Sequence, residues 1–391
     1  MKPKQFIILL VAVAVLGLAA YMVNHSEDDS WEGGENSVNQ TLLSEDFDSG
    51  KVAAVTIREG ERSVTLEKTA DGWKVRERYN YPANLPEMKD FIITLMETKV
   101  ARELMLSAEQ LADLKLKEGE GVSVAFLDAD AKVMAAIVFG KKHEKATEAQ
   151  ESMGPYGMMG NVDSMGRYIL LPGDKPVIAA NTFALVDEPV TNWLDKDFIK
   201  ISDMKMGSLS ENGKTLWTVS RDNKSADLTL QGGEVPEGKM VDAGKLSSIK
   251  SAFSWIRFND VADPEASPES LGMDKAKIFT VSDFDGLTYT LQMGAVVDGK
   301  QYLRIQSVRW SGQETRQPAE GESAEDKARL DAEFEKANKE NQEKAARMDA
   351  QFSPWTYEVG TYALSNVGKT FDELLKDLPK PPPEEKGEAE K

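Results

Sequence analysis

Val122-Ser123-Val124-Ala125-Phe126 is the stretch that decides the fold, because apolar residues alternate in it up to an aspartate-containing turn at 128–130. Period-2 alternation bounded by turn residues predicts a β-strand, and residues 133–140 supply the second strand of a hairpin. A strand pattern at 278–282, an Asp-Phe-Asp-Gly turn and a strand pattern at 289–294 repeat this order. The chain therefore predicts one antiparallel hairpin that is used twice.

The segments before each hairpin also occur in pairs. Strand patterns at 52–75 precede an amphipathic helix with its apolar residues within 88–95. Strand patterns at 215–230 likewise precede a helix with apolar residues at helical spacing within 246–256. Helices between strands that can pair antiparallel are typical of an α+β fold. The order of elements therefore predicts a tandem duplication.

The predicted architecture is α+β, with two tandem, similar domains of mostly antiparallel sheet at residues 44–199 and 200–379. Residues 26–43 are polar and predict a linker. Residues 380–391 are rich in Pro, Lys and Glu and predict a disordered tail. Residues 318–351 have no counterpart in the first half, so we expect an insertion in the second domain.

The insertion predicts a long charged helix. Leu330, Phe334 and Met348 belong to a narrow apolar seam at 3/4 spacing, which Asn341 interrupts. Its i,i+4 ion pairs contribute only about 1–2 kcal/mol in total, so the seam needs a packing partner. That partner is either its own domain or a helix of another subunit, and the pattern fits both.

The N-terminal segment predicts a membrane anchor. Lys2 and Lys4 precede residues 6–23, which carry no charge, and acidic residues follow. A helix of this length spans about 27 Å, close to the hydrocarbon thickness of a bilayer. Because basic flanks stay in the cytoplasm, we predict a transmembrane helix at residues 1–25 that contacts lipid through 6–23. The protein would be a single-pass bacterial inner-membrane protein, with a cytoplasmic N-terminus and its bulk periplasmic or otherwise extracytoplasmic.

A cleaved signal peptide is the competing interpretation of this segment. Signal peptides usually have an apolar region of about 7–15 residues and a small-x-small cleavage site. The run here is longer, and Leu18-Ala19-Ala20 is a poor cleavage site. Export is expected in either case.

Composition limits the chemistry. The net charge of −19 argues against nucleic acid, because binding it needs a basic face. The absence of cysteine excludes disulfides and thiolate catalysis, and two histidines make a catalytic triad or a multi-histidine metal site a poor fit. The paired aspartates at 128/130 and 283/285 lack the glutamate that a calcium loop needs at its twelfth position, so turn hydrogen bonding explains them. We expect no cofactor and no metal.

Residues 153–160 form an unusual Met- and Gly-rich segment. Thioethers bind Cu(I), but no His or Cys accompanies the methionines. A plain flexible connection between strands and a loop that contacts a partner protein both fit this composition better. The candidate partner-contact residues of the whole chain are Met153, Tyr156, Met158, Met159, Leu330, Phe334 and Met348.

Several short motifs resemble the bacterial family known as domain of unknown function 4340. The resemblance covers most of residues 44–380. It rests on the basic start with a single anchor, Asp71-Gly72-Trp73-Lys74-Val75, Val100-Ala101-Arg102, the capped Ser107-Ala108-Glu109-Gln110-Leu111 turn, the hairpin ending at Gly140, and the stretch 168–197 that closes with Trp193-Leu194-Asp195-Lys196-Asp197. The resemblance implies an exported, membrane-anchored protein of the kind often encoded beside ABC-type transport systems of gliding motility. It implies an accessory role and supplies no catalytic residues.

The functional expectation is a non-enzymatic, membrane-anchored extracytoplasmic accessory or scaffold protein. Its expected partner is a membrane protein complex, such as the permease or auxiliary subunits of an ABC transporter. The rival class is a cell-envelope polysaccharide-binding module or hydrolase, since tryptophans stack on sugars and 66 acidic residues offer many carboxylate pairs.

Overall fold

The computed structural model describes residues 40–44, 46–117, 119–144, 164–318 and 321–379. It divides the chain into two units, the first ending at Asp195 and the second beginning at Lys196; the sequence patterns put the boundary after residue 199. The predicted anchor at 6–23, the Met/Gly segment at 153–160 and the tail at 380–391 lie outside the described residues. Within the described ranges, no helix combines the length and the apolar character needed to cross a bilayer.

The first unit is built on one antiparallel sheet with the strand order β4-β3-β2-β1-β6-β7-β8-β9-β5. Its strands are β1 (Ala54–Glu59), β2 (Arg62–Thr69), β3 (Gly72–Val75), β4 (Tyr81–Pro82), β5 (Val100–Glu103), β6 (Val122–Leu127), β7 (Val133–Glu144), β8 (Ser164–Leu171) and β9 (Lys175–Ala179). The hairpin that the sequence predicts is β6–β7, where Val124 pairs with Ile137.

Two helices belong to this unit, α1 (Leu85–Glu97) and α2 (Ala108–Asp113). The apolar face predicted for α1 is its buried face, and Phe91 contacts Trp193 edge-to-face at 5.7 Å between ring centroids. Ser107 and Gln110 form the predicted capping box at the start of α2.

The residues that follow the last strand pattern of the first domain predict a helix around 182–193, and this prediction is wrong. The chain forms two 3-10 turns instead, Ala184–Asp187 and Val190–Trp193. Pro189 lies between them, lacks a backbone N–H and disfavours a helical conformation in the preceding residue. Phe183 also begins the first turn in a left-handed conformation, with φ 48°.

The second unit has an antiparallel sheet with the order β12-β11-β10-β15-β16-β17-β18-β14, and a small separate pairing of β13 with β19. These strands are β10 (Met204–Glu211), β11 (Lys214–Ser220), β12 (Thr229–Gln231), β13 (Lys239–Val241), β14 (Phe258–Val261), β15 (Lys277–Asp283), β16 (Leu287–Met293), β17 (Gln301–Trp310), β18 (Thr356–Val359) and β19 (Leu375–Asp377). Its helices are α3 (Ala243–Ser251), α4 (Ala324–Phe352) and α5 (Thr361–Ser365).

The two large sheets follow the same strand order once β4 is set aside. Reading each sheet from one edge, β3-β2-β1-β6-β7-β8-β9-β5 matches β12-β11-β10-β15-β16-β17-β18-β14 position by position. Every strand pairing in the described part of the chain is antiparallel. The predicted α+β class with mostly antiparallel sheets is therefore confirmed.

The second unit departs from the predicted helices in two places. α3 ends at Ser251, so Phe253 and Ile256 lie beyond it, although both are buried. Ser248 and Ser251 donate hydrogen bonds to carbonyls of their own helix, a habit that weakens helices. Residues 267–271 correspond to the capped 107–111 segment and have Pro at the first helical position, which predicts a short helix. The chain forms a turn there instead, because Gly272 adopts φ 65° and starts the short 3-10 segment Met273–Lys275.

The predicted long charged helix is present as α4 and packs on β17 of its own unit. The Ser323 side chain caps it by accepting from the Asp326 N–H at 3.1 Å. Asp349 accepts a hydrogen bond from the Val308 N–H of β17 at 2.8 Å, and Phe352 is buried. The described contacts therefore agree with packing of α4 on its own domain.

Candidate functional site

Arg167 on β8 seals one end of the first sheet. Its Nε donates to the Gly140 carbonyl at 2.9 Å, and its Nη1 donates to the Thr182 carbonyl at 3.1 Å. Nη1 and Nη2 also donate to the two carboxylate oxygens of Asp187 at 2.9 and 2.6 Å. The Arg167 side chain is only 4% exposed, so the arginine of this bidentate ion pair is buried. We call the pair the Arg167–Asp187 clamp.

β17 places Gln301 where β8 places Arg167. The correspondence follows from the strand register. Ile169 pairs with the residue before Gly140, and Leu303 pairs with the residue before Gly294. Arg167 and Gln301 lie two positions before these residues, on the same face of the strand. Gln301 Nε2 donates to the Gly294 carbonyl at 2.9 Å, which repeats the Nε contact of the arginine. The second unit thus keeps one hydrogen bond and has a neutral amide instead of a guanidinium.

An open groove of about 670 Å³ lies beside Gln301 in the second unit. We call it the lysine groove, because Lys275, Lys277 and Lys369 line it together with Val296, Gln301, Tyr362 and Glu373.

The extra chain that forms one wall of the groove is α5. In the first unit, Thr182 and Phe183 follow closely after β9 and are held by Arg167. In the second unit, α5 intervenes between β18 and Phe371, the residue that corresponds to Phe183 in the sequence repeat. The groove therefore results from an arginine-to-glutamine difference and an inserted turn of helix.

Positive charge collects in the lysine groove. Lys277 Nζ donates to the Gly368 carbonyl at 2.8 Å, and Lys369 Nζ donates to the Asn366 side chain at 3.1 Å. Lys275 is exposed, and its ammonium has no hydrogen bond or ion pair with any residue that the structure describes. The three lysines face a single acidic lining residue, Glu373, so the groove is a basic site on an acidic chain.

The groove environment lowers the pKa of Glu373. Its carboxylate accepts hydrogen bonds from the Thr370 N–H at 2.7 Å and the Thr370 hydroxyl at 2.9 Å. These bonds, with the positive charges of Lys277 and Lys369, hold the pKa of Glu373 below its usual value.

The groove also has an apolar side. Tyr362 on α5 is 81% exposed and Val296 is 56% exposed. Met293 and Leu364, which also line the groove, are buried beneath. Exposed aromatic and aliphatic side chains beside unpaired charge are what a protein-binding surface requires.

None of the sequence-predicted contact residues that the structure describes lines this groove. Met153, Tyr156, Met158 and Met159 lie outside the described residues. On α4, Leu330, Phe334 and Met348 are half-buried. Their role in binding a partner stays a prediction.

Further contacts hold α4 on its own unit. Arg316 pairs with Glu322 at 2.5 Å and with Asp331 at 2.9 Å, and hydrogen bonds with these carboxylates raise its pKa. Asn338 donates to the Gln313 carbonyl at 2.8 Å, and Asn341, which interrupts the seam, donates to the Asp285 carbonyl at 3.3 Å. These contacts fix the helix over much of its length.

A second concave region contains a tryptophan. Trp355 lines a cleft of about 360 Å³ together with Asp263, Gln292 and Arg304. Trp193 and Trp217 are buried in the core, whereas Trp255 is 78% exposed with Lys200 Nζ 4.4 Å from its ring centroid.

The paired aspartates serve their turns, which confirms that prediction. Asp128 Oδ1 accepts from the Asp130 and Lys132 N–H groups, and Asp283 Oδ1 accepts from the Asp285 and Leu287 N–H groups, all within 3.0 Å. No group of three or more His, Asp or Glu side chains suited to a metal ion occurs in the described ranges.

The fold is thus an α+β protein with two antiparallel sheets of equal strand order. The family model "Domain of unknown function (DUF4340)" matches residues 157–276, so the resemblance to that family is confirmed over this range. The matched range contains the end of the first unit and the start of the second. Neither a curated protein nor a solved structure matches the chain.

Proposed function

We propose that this protein is a non-enzymatic, membrane-anchored accessory or scaffold protein that works outside the cytoplasm. Its partner in this proposal is a membrane protein complex of the ABC-transport type, contacted through the permease or auxiliary subunits. The uncharged segment at 6–23 supports the anchor, and the family resemblance supports the class of partner.

One observation carries the binding role. The equal strand order of the two sheets supports a tandem duplication, in which corresponding positions can be compared. The first copy closes its sheet end with Arg167, whereas the second copy has Gln301 there and presents an open basic groove with an exposed aromatic residue. An open groove present in only one of two equivalent places is the observation that supports a binding surface.

Co-purification of the tagged full chain from native membranes tests this proposal. A mild detergent extract, cross-linked before solubilisation, should yield the subunits of one transport complex in fixed proportion. A tagged variant that contains only residues 1–39 controls for proteins captured by the anchor or the micelle. Recovery of a clean monomer, or of the same proteins with the anchor-only control, would refute an accessory role.

The Trp355 cleft favours a second candidate function, a module that binds envelope polysaccharide. An indole beside an arginine and a carboxylate can stack on a sugar ring and hydrogen-bond its hydroxyls. Sedimentation of the full chain with peptidoglycan should then be lost in Trp355→Ala and kept in Trp255→Ala. Equal retention of both variants, or no retention of the parent protein, argues against this candidate.

A further inference from the structure

We propose that the lysine groove of the second unit binds an acidic segment of a partner protein, with partner carboxylates at Lys275 and Lys369 and an apolar partner side chain against Tyr362. This inference rests on the proposed scaffold function and names the chemistry of its partner.

The size and openness of the groove fit a peptide segment. Its volume of about 670 Å³ is within the range of sites that enclose several side chains. One wall is the short helix α5, which presents Tyr362 at 81% exposure, and the lining also contains Val296 at 56% exposure. A central aromatic residue flanked by aliphatic surface is the usual form of an interface anchor.

Charge complementarity selects an acidic occupant. The chain carries a net charge of −19, yet the groove has three lysines and one glutamate. Hydrogen bonds tie the ammonium groups of Lys277 and Lys369 to the groove wall. Those bonds leave both charges in place, while the ammonium of Lys275 is open to a ligand. Anionic side chains are therefore attracted here, whereas most of the protein surface repels them.

The comparison within the chain indicates why the site is open. In the first unit, the guanidinium of Arg167 occupies the equivalent place and binds Asp187. Val122 begins β6 where Lys277 begins β15, since these residues pair with Phe139 and Met293 at matching registers. The second unit thus has a neutral amide where the first has the buried guanidinium, and a lysine where the first has a valine.

Fluorescence anisotropy with a defined probe tests the proposal. The probe is a fluorescein-labelled peptide of glutamates and aspartates around one leucine and one phenylalanine, titrated with the full detergent-solubilised chain. We expect saturable binding that weakens as NaCl rises from about 0.05 to 0.3 M, because salt screens exposed charges. A peptide with glutamine and asparagine in place of the acids should bind at least tenfold more weakly.

Two variants localise the binding. Lys275→Glu should weaken binding of the probe about fivefold to tenfold, because it replaces an attraction with a repulsion. Lys214 is an exposed lysine on β11, and Lys214→Glu should leave binding of the probe unchanged. Tyr362→Ala should weaken it about fivefold or more, whereas Trp255→Ala, an equally exposed aromatic residue, should not. Circular dichroism of each variant verifies that the fold is retained.

The outcomes separate this inference from the proposed function. No saturable binding of the acidic probe, or equal loss in the groove and control variants, overturns the groove assignment whatever co-purifies with the chain. Binding of anionic phospholipid vesicles through Lys275 without peptide binding would also overturn it and assign the groove to lipid. Peptide binding that depends on Lys275 and Tyr362 supports it, even where co-purification finds no transporter.

Discussion

Replacing Arg167 with glutamine should give the first unit the side chain that the second unit has at the same register, and it should cost about 2–3 kcal/mol of unfolding free energy. Glutamine can keep the hydrogen bond to the Gly140 carbonyl, as Gln301 does with Gly294. It loses two charge-assisted hydrogen bonds to Asp187, each contributing about 1.5–3 kcal/mol, together with the guanidinium contacts to the Thr182 and Phe183 carbonyls.

The total is discounted because Asp187 is partly hydrated. Its side chain is 33% exposed, and Lys142 Nζ lies 3.5 Å from its Oδ2. The carboxylate therefore keeps one cationic neighbour and some water after the substitution. The low end of the range for breaking a buried pair, about 3 kcal/mol, is an upper limit here.

Urea unfolding of the full chain measures the effect. With a slope of about 1–3 kcal/mol per molar urea, the transition of the first unit should move down by roughly 1–2 M, and that of the second unit should stay in place. A double-mutant cycle with Asp187→Asn should give a coupling energy above about 1 kcal/mol. A cost of Arg167→Gln below about 0.5 kcal/mol, or additive single and double variants, would refute the clamp and with it the contrast between the two units.

Three further predictions concern the second unit. Phe352→Ala should destabilise it by about 3–4 kcal/mol and raise the rate of hydrogen exchange along α4, because Phe352 is 2% exposed. Leu330→Ala should cost less than about 1 kcal/mol of unfolding free energy. Equal costs would contradict the packing of α4. Gly272 has φ 65°, and a Cβ there would lie 2.3 Å from the Ala295 carbonyl oxygen, so Gly272→Ala should cost about 2–4 kcal/mol of unfolding free energy in urea. Gly299 has φ 76° but open space around it, so Gly299→Ala should cost only about 1 kcal/mol. Burial raises the pKa of the Asp283 carboxyl, so the folded state favours its protonated form and ionisation opposes folding as pH rises through that pKa. Asp283→Asn should therefore gain stability relative to the parent at pH 7, and the difference should shrink in melts at pH 4; a constant difference would contradict it.

Periodicity and turn residues predict much of this fold. The β6–β7 and β15–β16 hairpins, α1, the α2 capping box and the position of α4 all follow from patterns within a few neighbouring residues. β10 and β17 were not predicted, because polar residues interrupt their alternation. The predicted helix near 182–193 fails for two reasons: Pro189 interrupts it, and Arg167 holds the Thr182 and Phe183 carbonyls. Only the proline is visible in the sequence.

The lysine groove could not be predicted from the sequence for the same reason. Lys275 and Lys277 precede and begin β15, while Tyr362 and Lys369 follow β18. Only the sheet order, which places β16 and β17 between β15 and β18, and the fold of the chain after β18 bring them to one site. A sequence signal did exist in the extra residues between Val359 and Phe371, but it becomes informative only when the register identifies Gln301 as the counterpart of Arg167.

The equal strand order of the two sheets allows a physical account of the difference between the two units. A sheet end that must bind a partner cannot also be closed by a buried ion pair, because the clamp occupies the space and neutralises the charge that a ligand would meet. Arg167 directs its guanidinium to Asp187 and three backbone carbonyls, and its side chain is only 4% exposed, so it is not accessible to a ligand. In the second unit, the amide of Gln301 satisfies only the Gly294 carbonyl, and the nearby lysines remain as charges on an open surface. The same register position can therefore stabilise one copy and serve recognition in the other.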